Sequence, residues 1–115
     1  MTITGQNETF YRDTDHSKQV KVYDADGLLY GSVAGFTVTW KVTRGADDPV
    51  AVFTKTQAAG IALDTPQAGW LEITIDRADI DIAPGAYYHE LRISDGSVED
   101  VYLSGGLTIL GSLTT

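Results

Sequence analysis

Apolar and polar residues alternate with a period of two along most of this chain. FTVTWKV (36–42) sets Phe36, Val38, Trp40 and Val42 on one face and Thr37, Thr39 and Lys41 on the other. YYHELRI (87–93) separates Tyr87, His89, Leu91 and Ile93 from Tyr88, Glu90 and Arg92. Side chains alternate across a strand, so each stretch predicts a strand with one buried and one wet face. WLEITID (70–76) divides Leu71, Ile73 and Ile75 from Trp70, Glu72 and Thr74, and KQVKVYD (18–24) places Val20 and Val22 between Gln19, Lys21 and Tyr23. VAVFTKT (50–56) and GIALD (60–64) are shorter candidates. DVYLSGGLTIL (100–110) predicts a last strand, with a bulge or bend at Gly105-Gly106.

Turn signals separate these runs: DADG (24–27), RGADDP (44–49), TPQAG (65–69), APG (83–85) and SDGS (94–97). Asp and Gly tolerate the left-handed conformations of tight turns, and SDGS between two alternating runs predicts a hairpin. Only RADIDI (77–82) predicts a helical turn. Many short strands with regular turns predict a single all-β domain over 1–115, an antiparallel β-sandwich. Two positions narrow the class to an immunoglobulin-like sandwich of about seven strands. Trp40 sits mid-strand in the third strand, and Tyr87 follows a Pro-Gly corner two residues before His89. Such sandwiches bury a Trp on strand C and carry a corner Tyr at the start of strand F, two residues before a cysteine in antibody domains. His89 then takes the cysteine's position, with Val20 or Val22 facing it. The expected core includes Val20, Val22, Trp40, Tyr87, His89 and Leu91.

Composition adds exclusions. With 115 residues and 43% apolar content, the chain is long enough to bury a core. It has no cysteine, which removes disulfides, thiolate nucleophiles and Cys-based metal sites. A net charge of −8 repels phosphate backbones, so nucleic acid is not an expected partner. No apolar run approaches a membrane span, and MTITGQNETF carries no basic and apolar leader pattern.

The candidate chemistry is sparse. His89 on a core face reads as a neutral, hydrogen-bonded imidazole; as a ligand it would need partners, and the only other histidine is His16. DADG has the flavour of a calcium loop but lacks the closing Glu, so a turn is expected. Asp76, Asp79 and Asp81 read as capping and solvating a turn. No nucleophile motif is present, so no catalytic residue, metal or cofactor is expected. Among the aromatics, Phe10, Tyr11, Tyr23, Tyr30, Trp70, Tyr88 and Tyr102 are candidates for the outside or rim, Tyr23 and Tyr88 foremost. All but Tyr102 form the expected interface set. Exposed aromatics suit protein interfaces or sugar stacking. The Thr-rich ends read as assembly arms at 1–9 and 108–115, able to add a strand to a neighbour.

ETFYRDTDHSKQVKVYDADGLLYGSVAGFTVTWKV (8–42) resembles the opening of the phage baseplate-upper-protein N-terminal domain family. That pattern runs from an aromatic-Arg element through a strand and an acidic D-x-D-G turn to a strand of the form TVTWKV. PGAYYHELRISDGSVEDVYLSGGLTIL (84–110) is similar to the end of short β-sandwich proteins encoded among tailed-phage structural genes. The family's Gly after the Arg is missing here, and YGSVAG (30–35) replaces its Leu-Thr-Gly-Ala stretch. The resemblance implies a non-enzymatic virion component, made in the host cytoplasm and present in many copies. Its implied partners are the major capsid protein or tail and baseplate proteins, with a capsid-decoration or tail-accessory role. A carbohydrate-binding module recognising host glycan is the alternative.

Overall fold

The computed structural model describes residues 5–12, 14–24, 26–45, 47–94, 96 and 99–111, with 99 and 100 described by backbone only. Among the described residues eight strands run in order: β1 (Glu8–Tyr11), β2 (His16–Lys21), β3 (Thr37–Thr43), β4 (Ala51–Thr56), β5 (Ile61–Leu63), β6 (Trp70–Ile75), β7 (Gly85–Ser94) and β8 (Glu99–Leu110). They form a five-stranded sheet, β1-β8-β7-β3-β4, and a three-stranded sheet, β2-β6-β5. This is an immunoglobulin-like sandwich, with β3 and β7 in the places of strands C and F. The strands exceed the expected seven by one, and the extra strand departs from the antiparallel expectation. β1 pairs with β8 in parallel, Glu8 opposite Leu107 and Tyr11 opposite Leu110. The remaining ladders are antiparallel.

The core lies between the sheets, where the alternation directs it. Val38, Trp40 and Val42 of β3 and His89 and Leu91 of β7 meet Leu71, Ile73 and Ile75 of β6. Val20, Val22 and Tyr87 are buried with them. Burying a side chain of this size contributes about 1.5–3 kcal/mol, which is why the apolar face fixes the register. Tyr87 forms a tyrosine corner: its hydroxyl donates to the Ala83 carbonyl at 2.5 Å, tying the start of β7 to the loop before it.

Several expectations are corrected. The register shift in the β7–β8 ladder lies at Leu91/Arg92, where Leu91 pairs Leu103 and Arg92 pairs Val101. The extra residue is therefore Tyr102, and Gly105 and Gly106 stay in register with His89 and Tyr88. The bulge turns both Tyr102 and Leu103 inward, so Tyr102 is buried rather than on the rim. Its hydroxyl donates to the Lys21 carbonyl at 3.0 Å and accepts from the Tyr23 amide at 2.9 Å. Residues 77–80 form turns, and 77–82 include no helix. The Asp79 amide donates to the Asp76 carbonyl at 2.8 Å, and Ile80 plugs the core. The SDGS hairpin joins β7 to β8 with Ser94 opposite Glu99, but its residues 95 and 97 lie outside the described residues.

Candidate functional site

Each seam between the sheets is closed by an ion pair on in-facing positions. Lys18 shares the face of Val20 and pairs with Glu8, which shares the face of Phe10. At the opposite seam, Lys55 lies opposite Trp40 and reaches Asp79 at 2.6 Å. Long lysine stems cover apolar surface while the ammonium reaches the margin. Two of the three acidic residues Asp76, Asp79 and Asp81 are paired, Asp79 with Lys55 and Asp81 with Arg12 at 2.6 Å, and Asp79 also accepts from the Asp76 amide at 2.9 Å, capping the turn.

His89 is fully buried beside Trp40. Trp40 Nε1–H donates to His89 Nδ1 at 3.1 Å. An indole nitrogen only donates, so Nδ1 is the acceptor and the ring proton sits on Nε2. That Nε2–H donates to the Gln6 carbonyl. Both nitrogens are used, and neither has a lone pair free for a metal. Among the described residues no group of three or more His, Asp or Glu is placed to hold an ion.

The contact with Gln6 depends on Gly105, which sits opposite His89 on β8. A Cβ there would lie 2.4 Å from the Gln6 carbonyl oxygen and 2.7 Å from its amide nitrogen. The missing side chain leaves a gap on the inner face of β8, which the backbone of residue 6 fills to meet a core side chain. The sequence signal was the glycine pair within a strand, but not which backbone crosses it.

Burial holds the His89 imidazole below the ordinary value; the Gln6 hydrogen bond opposes this, Lys18 adds to it, and Glu8 opposes it. The native ring therefore stays neutral while the unfolded chain takes up a proton as pH falls through about 6.5. The unfolded state then binds more protons, so stability is full above that pH and is lost on acidification toward the native value. The expected slope approaches at most about 1.4 kcal/mol per pH unit. Urea titrations between pH 7 and 5 check this, and the His89→Gln variant should lack that contribution.

At one end of the sandwich, Asp64 joins two loops. Its backbone is left-handed, φ 52°, before a cis Thr65–Pro66 peptide. Its carboxylate accepts from the Gly69 amide (2.9 Å), the Ser32 hydroxyl (2.7 Å) and the Val33 amide (2.8 Å). The Gly69 amide, then Ser32 and Val33, hold its pKa below the usual carboxylate range. In DADG, the Asp24 carboxylate accepts from the amides of Asp26 and Leu28, at 2.9 and 3.0 Å. It closes a turn, as Asx residues do.

The outer face of the five-stranded sheet carries Thr37, Thr39, Lys41, Thr43, Thr54, Thr56, Tyr88, Glu90, Arg92 and Thr108. A groove of about 260 Å³ crosses it between Lys41, Thr43, Tyr88, Glu90, Arg92 and the loop at 47–49. Lys41 Nζ donates to the Pro49 carbonyl at 3.1 Å, and Arg92 Nε to Glu90 at 2.6 Å. The lining offers threonine and tyrosine hydroxyls and paired charges, which can hold polar groups of a partner.

The sequence-derived interface residues separate. Phe10 is a correction: β1 sets it beside Ile109, buried, with its ring 4.6 Å from that of His16. Tyr11 is 36% exposed and lies opposite Leu110, 37% exposed. Tyr23 is half-buried and bridges to Leu29. Tyr30 is half-buried and meets Phe36 edge-on at 5.1 Å. Trp70 is half-buried on the outer face of the other sheet, with Lys21 Nζ 4.9 Å from its ring. Tyr88 is half-buried in the groove. These rings lie on different faces and do not form the flat row that sugar stacking uses. Of the two terminal arms, residues 8–9 and 108–110 belong to β1 and β8. Residues 1–4 and 112–115 lie outside the described residues.

No family model matches the chain, and no curated protein matches it. Among solved structures, a family 123 glycoside hydrolase from Clostridium perfringens is similar over 95% of this chain, at 13% identity and a TM-score of 0.38. This chain spans 23% of the length of that hydrolase. A likeness at that level bears on neither activity nor ligand.

Proposed function

We propose that this protein is a non-enzymatic structural component of a tailed-phage particle that packs against neighbouring virion proteins as a capsid decoration or tail accessory. The observation that carries the proposal is the outer face of the five-stranded sheet. Its side chains are mostly threonines around Tyr88, a groove crosses it beside Lys41 and Arg92, and it ends in the exposed apolar pair Tyr11 and Leu110. Hydroxyls, paired charges and an apolar margin on one face suit the mixed polar and apolar surface of another protein. A stable interface takes about 800 Å² from each partner. The resemblance of 8–42 and 84–110 to tailed-phage structural domains supports the choice of partner.

Co-sedimentation with purified heads and, separately, tails of a related tailed phage tests the proposal. Saturable binding at a fixed ratio to the major capsid subunit means decoration, and binding to tails alone means an adaptor. Leu110→Glu with Tyr88→Ala should reduce binding at least about tenfold, equivalent to roughly 1.4 kcal/mol, while leaving the fold intact. Binding to neither fraction would overturn the proposal.

A further inference from the structure

The segment that carries β1 is held by specific contacts along the edge of β8 that faces away from β7. The Gln6 amide donates to the Ser104 carbonyl at 3.0 Å, and its carbonyl accepts from His89 Nε2 in the gap beside Gly105. Asn7 Oδ1 accepts from the Gly106 amide at 3.0 Å. Glu8 pairs with Lys18, Phe10 fills a buried site, and the Arg12 amide donates to the Leu110 carbonyl at 3.1 Å. Together these define a slot that accepts one kind of strand: a backbone carbonyl above Gly105, a short amide side chain next, then an acid, and an aromatic two residues later.

The slot cannot stand empty at low cost. Without the strand, the buried His89 N–H loses its acceptor, the Phe10 site opens into the core, and β8 presents an unpaired edge. Another copy of the chain carries the same strand. Every slot contact is then the same whether the strand comes from its own chain or a neighbour's. The balance rests on the connection between β1 and β2, residues 12–15, and on the local concentration of neighbours. That connection is short and must cross from one sheet to the other. A short hinge under strain favours exchange between chains.

We propose that β1 is an exchangeable strand: where copies lie side by side, Glu8–Tyr11 of one copy occupies the β8 edge of its neighbour, whose His89 holds the donated Gln6 carbonyl. This does not rest on the virion reading, because a concentrated solution of the protein supplies the same neighbours.

The chain has no cysteine, so trapping is unambiguous. Thr9 and Thr108 are register partners. Full-length Thr9→Cys and Thr108→Cys chains are mixed at high concentration, partly unfolded, returned to native buffer and oxidised. The expected product is a disulfide-linked dimer joining positions 9 and 108 of different chains. It should be lost when the Thr108→Cys chain also carries Gly105→Val, which blocks its slot. The doubly substituted chain, oxidised at low concentration, shows whether this pair can close at all. If it closes internally while the mixture gives no dimer above the blocked control, exchange is overturned. If it does not close, deletion of residues 13 and 14 decides. The shortened chain should be a dimer or larger by light scattering, and a monomer would overturn the proposal.

Discussion

Trp40→Ala removes about 3–5 kcal/mol of folding free energy, the usual cost of truncating a large buried aromatic. The indole is fully buried at the middle of β3, edge-on to Phe53 at 5.6 Å and hydrogen-bonded to His89. Its loss leaves a cavity and also strands His89 Nδ1, a buried acceptor, which adds about 1–3 kcal/mol. A domain of this size is stable by about 5–15 kcal/mol, so the variant unfolds near room temperature or within reach of mild urea. Two further variants separate the contributions. Trp40→Phe keeps much of the volume and loses the donor, so it falls between wild type and Trp40→Ala. Combining it with His89→Leu removes both partners and should recover part of that loss. Chemical denaturation of wild type, Trp40→Phe, His89→Leu and the double variant closes the cycle and gives the coupling directly. Strict additivity would mean that the Trp40–His89 bond contributes nothing of its own.

Gly105→Val expels the N-terminal strand and leaves the rest of the sandwich folded. The new Cβ would stand 2.4–2.7 Å from backbone atoms of Gln6, and backbone cannot turn aside as a flexible side chain can. Expulsion removes the acceptor of His89, the Glu8–Lys18 pair and the burial of Phe10. Apolar burial and hydrogen bonding together put the loss on the order of 3–5 kcal/mol. Gly106→Val is the control, because a Cβ there meets only the Asn7 side-chain oxygen, at 3.3 Å. Hydrogen exchange distinguishes the two: in Gly105→Val the amides of residues 6–12 and the β8 amides facing β1 lose protection, while β3 and β6 keep theirs. Equal protection in both variants would show that the gap does not hold the strand.

The alternation was enough to place the strands that pair with antiparallel neighbours, because a half-buried strand shows its buried face in sequence. Trp40 and Tyr87 were legible for the same reason, each lying at a fixed offset from a turn. The period says which face a residue takes but not which strand lies beside it, and that gap accounts for the misses. TITGQNETFYR has little alternation of its own, so Phe10 read as a surface aromatic until β8 supplied a partner. The glycine pair signalled an irregularity, but the register shift lies at Tyr102, whose neighbours Val101 and Leu103 look regular in sequence. Lys18, Glu8 and Lys55 look solvated by composition, yet all three point into the seams, because each finds its opposite charge or a margin there. The broad threonine face was implicit in the polar half of each strand. Its continuity across β3, β4, β7 and β8 needed the strand order.

The parallel pairing of β1 with β8 also decides how the molecule carries load. The two strands run in the same direction, so the described chain enters at one end of this pair, at residue 5, and leaves at the other, at residue 111. Tension between those points pulls β1 and β8 past each other along their length. The interstrand hydrogen bonds are then strained together, in shear, whereas a hairpin pulled at its two ends opens one bond at a time. An anchor joined through both ends would be mechanically stiff along this axis and yield only when the whole β1–β8 ladder gives way at once.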